Sequence, residues 1–367
     1  MRNPSAGTVE DSSSAHFQPS HRRTSPDGIP LAGGLRMPQV RWHEPVMADE
    51  VVALFAAVPA GLVVDATAGT GGHSEALLTA HAHLRLLCLD RDPEAVRVTS
   101  ERLSEYGGRA TVRHARFDRL GEEAALAGAG PGSLSGVFFD LGVSSLQLDT
   151  PERGFSYWHD GPLDMRMDPT VGPTAADVVN GWDEDELAGL FADNGEGRFA
   201  RRIARAVVRD RPVSSTGQLS EVVRGAIPAA ARRHGGHPAR RVFQALRVAV
   251  NEELGLLSRT LPEAIAALAP GGRCVALSYH SGEDRLVKSA FARRSPGAAR
   301  ALRGYRAAVV PGLRVAWSSG APADRGPRRP PGTGVPRALV FGRSSAPILL
   351  RRISMRRTAL QPPDLSE

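Results

Sequence analysis

The chain has 367 residues, 41% of them hydrophobic, which is room for one large domain and a smaller one. A net charge of +7 and an isoelectric point near 10.3 point to an anionic partner, nucleic acid first. Lys288 is the single lysine, however, and the arginine, Ala, Gly and Pro excess has the look of a GC-rich genome, so only clustered charge is informative. No apolar run approaches the roughly 18–20 residues of a membrane span. Cys88 and Cys274 stand singly in apolar runs, which excludes a disulfide framework and a Cys-x-x-Cys metal site. A cytoplasmic protein with no metal and no membrane contact is expected.

Residues 1–40, rich in Ser, Pro, Arg and Gly, read as a disordered leader. Order begins near Trp42, and a helix is predicted from Ala48 to about Ala57. Leu62-Val-Val-Asp65 is a buried strand ending in an acid. Gly69, Gly71 and Gly72 follow, and Ser74 opens a helical pattern. Glycines serve such a turn because the backbone must bend sharply and approach a ligand with no Cβ between. The helix start then offers free N–H groups to a polar or anionic group.

Leu84-Arg-Leu-Leu-Cys-Leu-Asp90 is a second strand, and Asp90 lies 19 residues beyond Gly71. An acid at that strand tip is placed to accept from both hydroxyls of a ribose. A nicotinamide dinucleotide and S-adenosyl-L-methionine are both bound this way. The dinucleotide fingerprint requires a third glycine where Ser74 stands. The Asp-x-x-x-Gly-x-Gly-Gly form is instead similar to the first motif of S-adenosyl-L-methionine methyltransferases.

Asp92 and Pro93 start a helix by cap and first-turn preference. Ala110 to Phe117 alternates as a third strand, with Phe117 at its end. Gly136-Val-Phe-Phe-Asp140 is a fourth, again ending in an acid. Residues 148–249 then contain no buried strand. They hold a loop-like tract, Asp149 to Pro173, and helices, among them one with a capping box at Asp183 and Glu186. Another helix, from Arg198, sets Arg201, Arg202, Arg205 and Arg209 opposite an apolar side. One long helix is predicted through Phe243, Leu246, Val250, Leu254 and Leu257, then a fifth strand at Arg273 to Tyr279. Weaker strand patterns occur at Leu313 to Trp317 and Ile348 to Met355. The pattern predicts a parallel α/β sheet interrupted by a helical insertion. The expected segments are the leader 1–40, a first sheet part 41–147, an inserted helical substrate-recognition domain 148–249, a second sheet part 250–355 and a tail 356–367.

Several stretches carry a family resemblance: Thr70-Gly-Gly-His-Ser74, Leu89-Asp-Arg-Asp-Pro93, Asp140-Leu-Gly-Val-Ser-Ser145, Glu152-Arg-Gly-Phe-Ser156, Asp160-Gly-Pro-Leu-Asp-Met-Arg-Met-Asp-Pro169, Arg198 to Ala204, His237-Pro-Ala-Arg-Arg241 and Ser278-Tyr-His-Ser281. Together they resemble the bacterial 16S rRNA cytosine N4-methyltransferase H family, the MraW type. Departures are Leu146 where the family carries proline and Gly282 where it carries leucine. Val335-Pro-Arg-Ala-Leu339 stands in place of its Asn-Pro-Arg-Ala-Arg-Ser stretch.

The resemblance implies a Rossmann-like S-adenosyl-L-methionine-dependent fold with an inserted helical domain. It implies N4-methylation of a cytidine in the decoding region of 16S rRNA, with the small ribosomal subunit as partner. It implies cofactor contacts at Gly71, Gly72, His73, Asp90, Phe117, Asp140 and Gln147. Asp140 is the catalytic candidate, as an acceptor for the amine's N–H, or it only binds cofactor. The target base must be unstacked, and Phe155 and Trp158 are candidates to stack on it. Asp164, Arg166 and Asp168 are candidates to read its edge, and Arg201 and Arg205 to meet phosphates. Two other readings stay open: a non-catalytic ribosome-assembly factor that keeps the pocket, and a nicotinamide-dependent oxidoreductase, which Ser74 disfavours.

Overall fold

The computed structural model describes residues 45–232, 237–294 and 337–342. The leader 1–40, the strand patterns at 313–317 and 348–355 and the tail 356–367 lie outside the described residues. Six strands form one sheet in the order β3-β2-β1-β4-β5-β6. They are β1 (Gly61–Asp65), β2 (Leu84–Asp90), β3 (Ala110–His114), β4 (Leu134–Asp140), β5 (Leu268–Ser278) and β6 (Arg337–Gly342). Strands β1 to β5 are parallel, and β6 runs antiparallel along β5. This is a Rossmann-like, doubly wound α/β fold. Strand order reverses between β1 and β4, so the carboxyl ends of those strands open a crevice where ligands of such sheets bind.

Both faces of the sheet are covered, and adjacent residues divide between them with the period of two that a strand imposes. Val63, Phe138 and Leu277 pack on one face, against α1 (Ala48–Phe55) and α2 (Gly72–Ala80). Val64, Phe139 and Ala276 pack on the other, against α4 (Leu120–Leu126), α12 (Glu253–Ala266) and α13 (Ser281–Arg294). Phe138 and Phe139 are each fully buried. A side chain of that size contributes roughly 1.5–3 kcal/mol by burial. Helix α3 (Pro93–Arg102) begins as expected: Asp92 Oδ1 accepts from Glu94 N at 3.1 Å, with Pro93 in the first turn.

Between β4 and β5 lies the helical insertion: α5 (Ser145–Leu148), α6 (Ala175–Gly181), α7 (Glu184–Asp193), α8 (Ala200–Arg209), α9 (Thr216–Ala226), α10 (Ala229–Arg232) and α11 (Arg240–Val250). It has its own apolar core, in which Leu163, Phe191, Ile203, Val207 and Leu246 are buried together. The predicted capping box at Asp183 and Glu186 is formed at the start of α7.

Three expectations are corrected. The third strand stops at His114, and Phe117 opens a short 3-10 turn, Phe117–Arg119, that leads into α4. Helix α8 starts at Ala200 rather than Arg198. The single long helix through Phe243 and Leu257 is two helices, α11 and α12, broken at Asn251 and Glu252, where Glu252 has φ 52°. Apolar spacing runs on across the break because Phe243, Leu246 and Val250 serve the helical core while Leu257 serves the sheet.

Asn251 holds that break. Its Nδ2 donates to Met165 O (2.7 Å) and Arg247 O (2.9 Å), and its Oδ1 accepts from Met167 N (2.8 Å). Arg91, at the tip of β2, donates to the Asn251 carbonyl at 2.8 Å. One side chain thus joins the 160–169 loop to the helix break. Asn251→Ala should cost roughly 1–3 kcal/mol for each buried backbone group left without a partner. Urea unfolding would measure this, and a midpoint equal to that of the parent chain would refute it.

Candidate active site

The crevice at the strand tips is a cavity of about 290 Å³. Its floor is the turn after β1, where Gly69 (φ 54°) and Gly71 (φ 77°) occupy the left-handed region that suits glycine. A Cβ on Gly71 would also stand 3.1 Å from Thr99 Cγ2. Asp65, at the end of β1, is 1% exposed, and its Oδ2 accepts from Ser74 Oγ at 2.6 Å. Ser74 is itself fully buried. The residue that stands in the place of a third glycine is therefore a structural partner of Asp65, and burial raises that carboxyl's pKa.

Asp90 is held by two backbone amides, Gly69 N to Oδ2 at 2.7 Å and Asp92 N to Oδ1 at 2.9 Å. Each carboxylate oxygen keeps a lone pair for a ligand hydroxyl. Burial pushes Asp90 up to about 6, against the pull of those two amides.

Asp140 stands at the tip of β4. Its backbone N donates to Thr67 Oγ1 (2.6 Å), and its Oδ1 accepts from Tyr279 Oη at 2.7 Å. Its Oδ2 lies 3.5 Å from His73 Nδ1. His73 Nε2 is within 2.8 Å of the Val46 carbonyl, which can only accept, so Nε2 carries a proton. Burial lowers the His73 pKa and favours the neutral ring, whose Nδ1 is then an acceptor. Burial likewise raises Asp140 to about 6.

The cavity lining brings together Gly72, His73, Asp90, Phe117, Asp140 and Gln147. Gly71 caps α2 beneath them. The Gln147 amide is already committed: Nε2 donates to Asp92 Oδ2 (3.0 Å), and Oε1 accepts from Ser144 N (3.1 Å) in a capping box. Phe117 meets Phe139 edge-on at 5.9 Å between ring centroids.

The candidates for substrate contact lie outside this lining. Phe155 is buried in the helical core. Trp158 is 71% exposed and tilts against His237, on which Tyr157 stacks at 4.6 Å. Asp164 and Arg166 pair with each other at 2.7 Å, and Asp168 Oδ2 lies 3.3 Å from His114 Nε2. On α8, Arg205 meets Glu184 at 3.2 Å and Arg201 meets Asp185 at 3.8 Å. The acidic first turn of α7 thus faces the arginine stripe.

Among the lining residues to which sequence reasoning gave no role are Tyr279, Asn251 and Arg91. The carboxyl-end rule for parallel strands would have marked Tyr279, since it follows β5 directly. Of the two departures in this region, Leu146 falls in the first turn of α5, where proline is tolerated equally. A Cβ on Gly282 would meet the His280 ring at 3.1 Å, so glycine gives that ring its room.

Asp90 and Asp140 have folded values near 6 against an ordinary 3.8. A raised folded value stabilises the fold fully below about 3.8 and loses that contribution as pH climbs through about 6. Stability measured in urea should therefore fall more between about pH 4 and 7 in the parent chain than in Asp90→Asn. Parallel declines would refute the assignment.

These features are those of a small-molecule pocket with hydroxyl acceptors at one end and a part-buried acid at the other. The sequence profile of the MraW methylase family matches residues 41–302. A ribosomal RNA small subunit methyltransferase H of Acidothermus cellulolyticus is 53% identical over 264 residues, 70% of this chain and 80% of that protein. One of the same name from Saccharopolyspora erythraea is 53% identical over 259 residues, covering 69% and 78%. One from Mycolicibacterium smegmatis is 46% identical over 323 residues, covering 81% and 86%. With most of its length matched by the profile and by these relatives, the chain belongs to the MraW methylase family.

Proposed function

We propose that this chain transfers a methyl group from S-adenosyl-L-methionine to the N4 amine of a cytidine in the decoding region of 16S rRNA. The observation that carries the reading is that one cavity is lined by Asp90, held by two backbone amides, and by Asp140, held through one oxygen by Tyr279. The names of the relatives, which specify small-subunit ribosomal RNA, supply the substrate class.

The residues fit such a cofactor. Asp90 would accept from the ribose hydroxyls, and Phe117 would cover the adenine. The first N–H groups of α2, at Gly72 and His73, would hold the methionine carboxylate beside a turn whose glycines leave the approach open. When bound, S-adenosyl-L-methionine supplies a methyl carbon activated by a sulfonium leaving group. The protein's task is alignment. A cytosine amine is a weak nucleophile because its lone pair is conjugated with the ring. Asp140 Oδ2 accepts one of its N–H bonds and so turns the lone pair toward the methyl carbon. Asp140 would receive the proton that the nitrogen gives up when its bond to the methyl carbon replaces the methyl–sulfur bond, whose electron pair stays on sulfur.

The helical insertion recognises the RNA. Phosphates would replace Asp185 and Glu184 as partners of Arg201 and Arg205, and Trp158 offers an exposed aromatic face to an unstacked base. An assembled small subunit, which displays such a base in a rigid frame, is a better substrate than naked RNA.

Labelled methyl transfer to assembled small subunits, followed by nucleoside mass spectrometry, tests the reading: N4-methylcytidine should appear, and naked 16S RNA should be methylated poorly. A methylated base other than cytosine, or no turnover, would overturn it. Asp90→Ala should weaken cofactor binding by roughly 1.5–3 kcal/mol, the value of a hydrogen bond to a charged group. Unchanged affinity by calorimetry would remove Asp90 from the ribose.

A further inference from the structure

Tyr279 follows β5 directly, across the crevice mouth from the β1 turn, and lines the cavity. Its hydroxyl has one proton, and that proton is given to Asp140 Oδ1 at 2.7 Å. The ring is aimed by its own backbone, because Tyr279 N donates to Glu283 Oε2 at 2.8 Å. Glu283 is in turn fixed in the first turn of α13. His280 N reaches the same oxygen at 3.2 Å, the His280 ring lies 3.1 Å from Oε1, and Arg247 lies 3.9 Å away. Arg247 also makes a two-pronged pair with Glu253 at 2.8 Å on each arm. The phenol therefore sits at the end of a built chain of charged contacts that reaches from α11 to the strand tips.

The other side of Asp140 is different. Oδ2 faces His73 Nδ1, and with the His73 proton on Nε2 these are two acceptors side by side. Among the described residues no donor reaches Oδ2. Among the described residues, one oxygen of this cavity-lining carboxylate is thus clamped by a donor and its twin is not.

We infer that Tyr279 is a positioning residue for the transfer: by holding Oδ1 it turns Oδ2 to the amine of the acceptor base. The inference rests on the reading of Asp140 as the acceptor of the amine's N–H. Tyr279 has a second effect with the same origin. A donor on Oδ1 favours the ionised carboxylate, opposing the burial that favours the neutral acid. The titratable groups facing Asp140 are His73 from α2, Asp65 from β1, and Tyr279 with Glu283 from the segment after β5. Asp65 and Glu283 are acids and raise its proton affinity, so the phenol is the neighbour that keeps the acceptor ready near neutral pH.

Tyr279→Phe keeps the ring and removes the donor. It should lower kcat roughly tenfold or more, as for loss of a hydrogen bond to a charged group. KM for small subunits and Kd for the cofactor should stay within about twofold, and the acid limb of kcat should move to higher pH. A ring-fluorinated tyrosine at position 279, a stronger donor, should move that limb to lower pH. The unliganded protein gives an independent readout. The side-chain carboxyl carbon of Asp140, identified as the resonance missing from Asp140→Asn, should titrate at higher pH in Tyr279→Phe than in the parent chain. An unchanged titration together with an unchanged kcat profile would overturn the inference. Full activity in Asp140→Asn would instead overturn the role of Asp140, and the titration would still report whether Tyr279 holds it.

Discussion

The carboxylate of Asp92 is the interaction on which the relation between pocket and insertion depends. It is fully buried, and three elements meet on it. Oδ1 caps α3, while Oδ2 accepts from Gln147 Nε2 and from Arg153 Nη1 at 2.8 Å. Arg153 then spends its other nitrogen on the carbonyls of Arg166 and Met167, at 3.0 and 2.9 Å. Removing one partner of a buried pair of this kind costs about 3–5 kcal/mol, because the remaining charge stays buried alone. Such pairs stabilise little against an apolar replacement, so their value here is geometric. The pair fixes the 153–167 loop relative to the β2 tip that carries Asp90. Gly154 makes the bend possible: at φ 75° it passes so close to Pro162 O that a Cβ would stand 2.3 Å from it.

Four acids line up at or just beyond the tips of neighbouring strands, Asp65, Asp90, Asp92 and Asp140, and the fold gives each a different task by what it bonds to. Asp65 is closed by Ser74, and Asp92 by an arginine and an amide. Asp90 and Asp140 keep acceptor capacity facing the cavity. Identical side chains are thereby divided into structural and ligand-facing pairs through the placement of donors alone. Burial raises the proton affinity of the second pair, which is the cost of making them available.

Much of this was legible in the sequence because a parallel strand buried on both faces announces itself as an apolar run, and Asp65, Asp90 and Asp140 each end one. The cap at Asp92 and the box at Asp183 follow from local chemistry and form as read. What escaped were features set by the meeting of distant segments. Tyr279 stands at a readable strand tip, yet its bond to Asp140, 139 residues away in sequence, is made only by the pairing of β4 with β5. Asn251 is hidden inside a continuous apolar period, since residues on either side of the break face different cores at compatible spacing. Phe117 reads as the end of a strand because alternation persists into the turn that follows. Phe155 and Trp158 look alike as aromatics three residues apart, yet one is in a core and the other in solvent.

Strand β6 carries a consequence for synthesis. It pairs along six residues of β5, from Arg273 opposite Gly342 to Ser278 opposite Arg337, and covers what would otherwise be an open sheet edge. An unpaired edge of this length is a template for another chain. Because β6 follows β5 by nearly sixty residues, the pairing along this edge needs a segment that is synthesised well after the five parallel strands. The strand made last is thus the one that closes this edge to pairing with another copy of the chain.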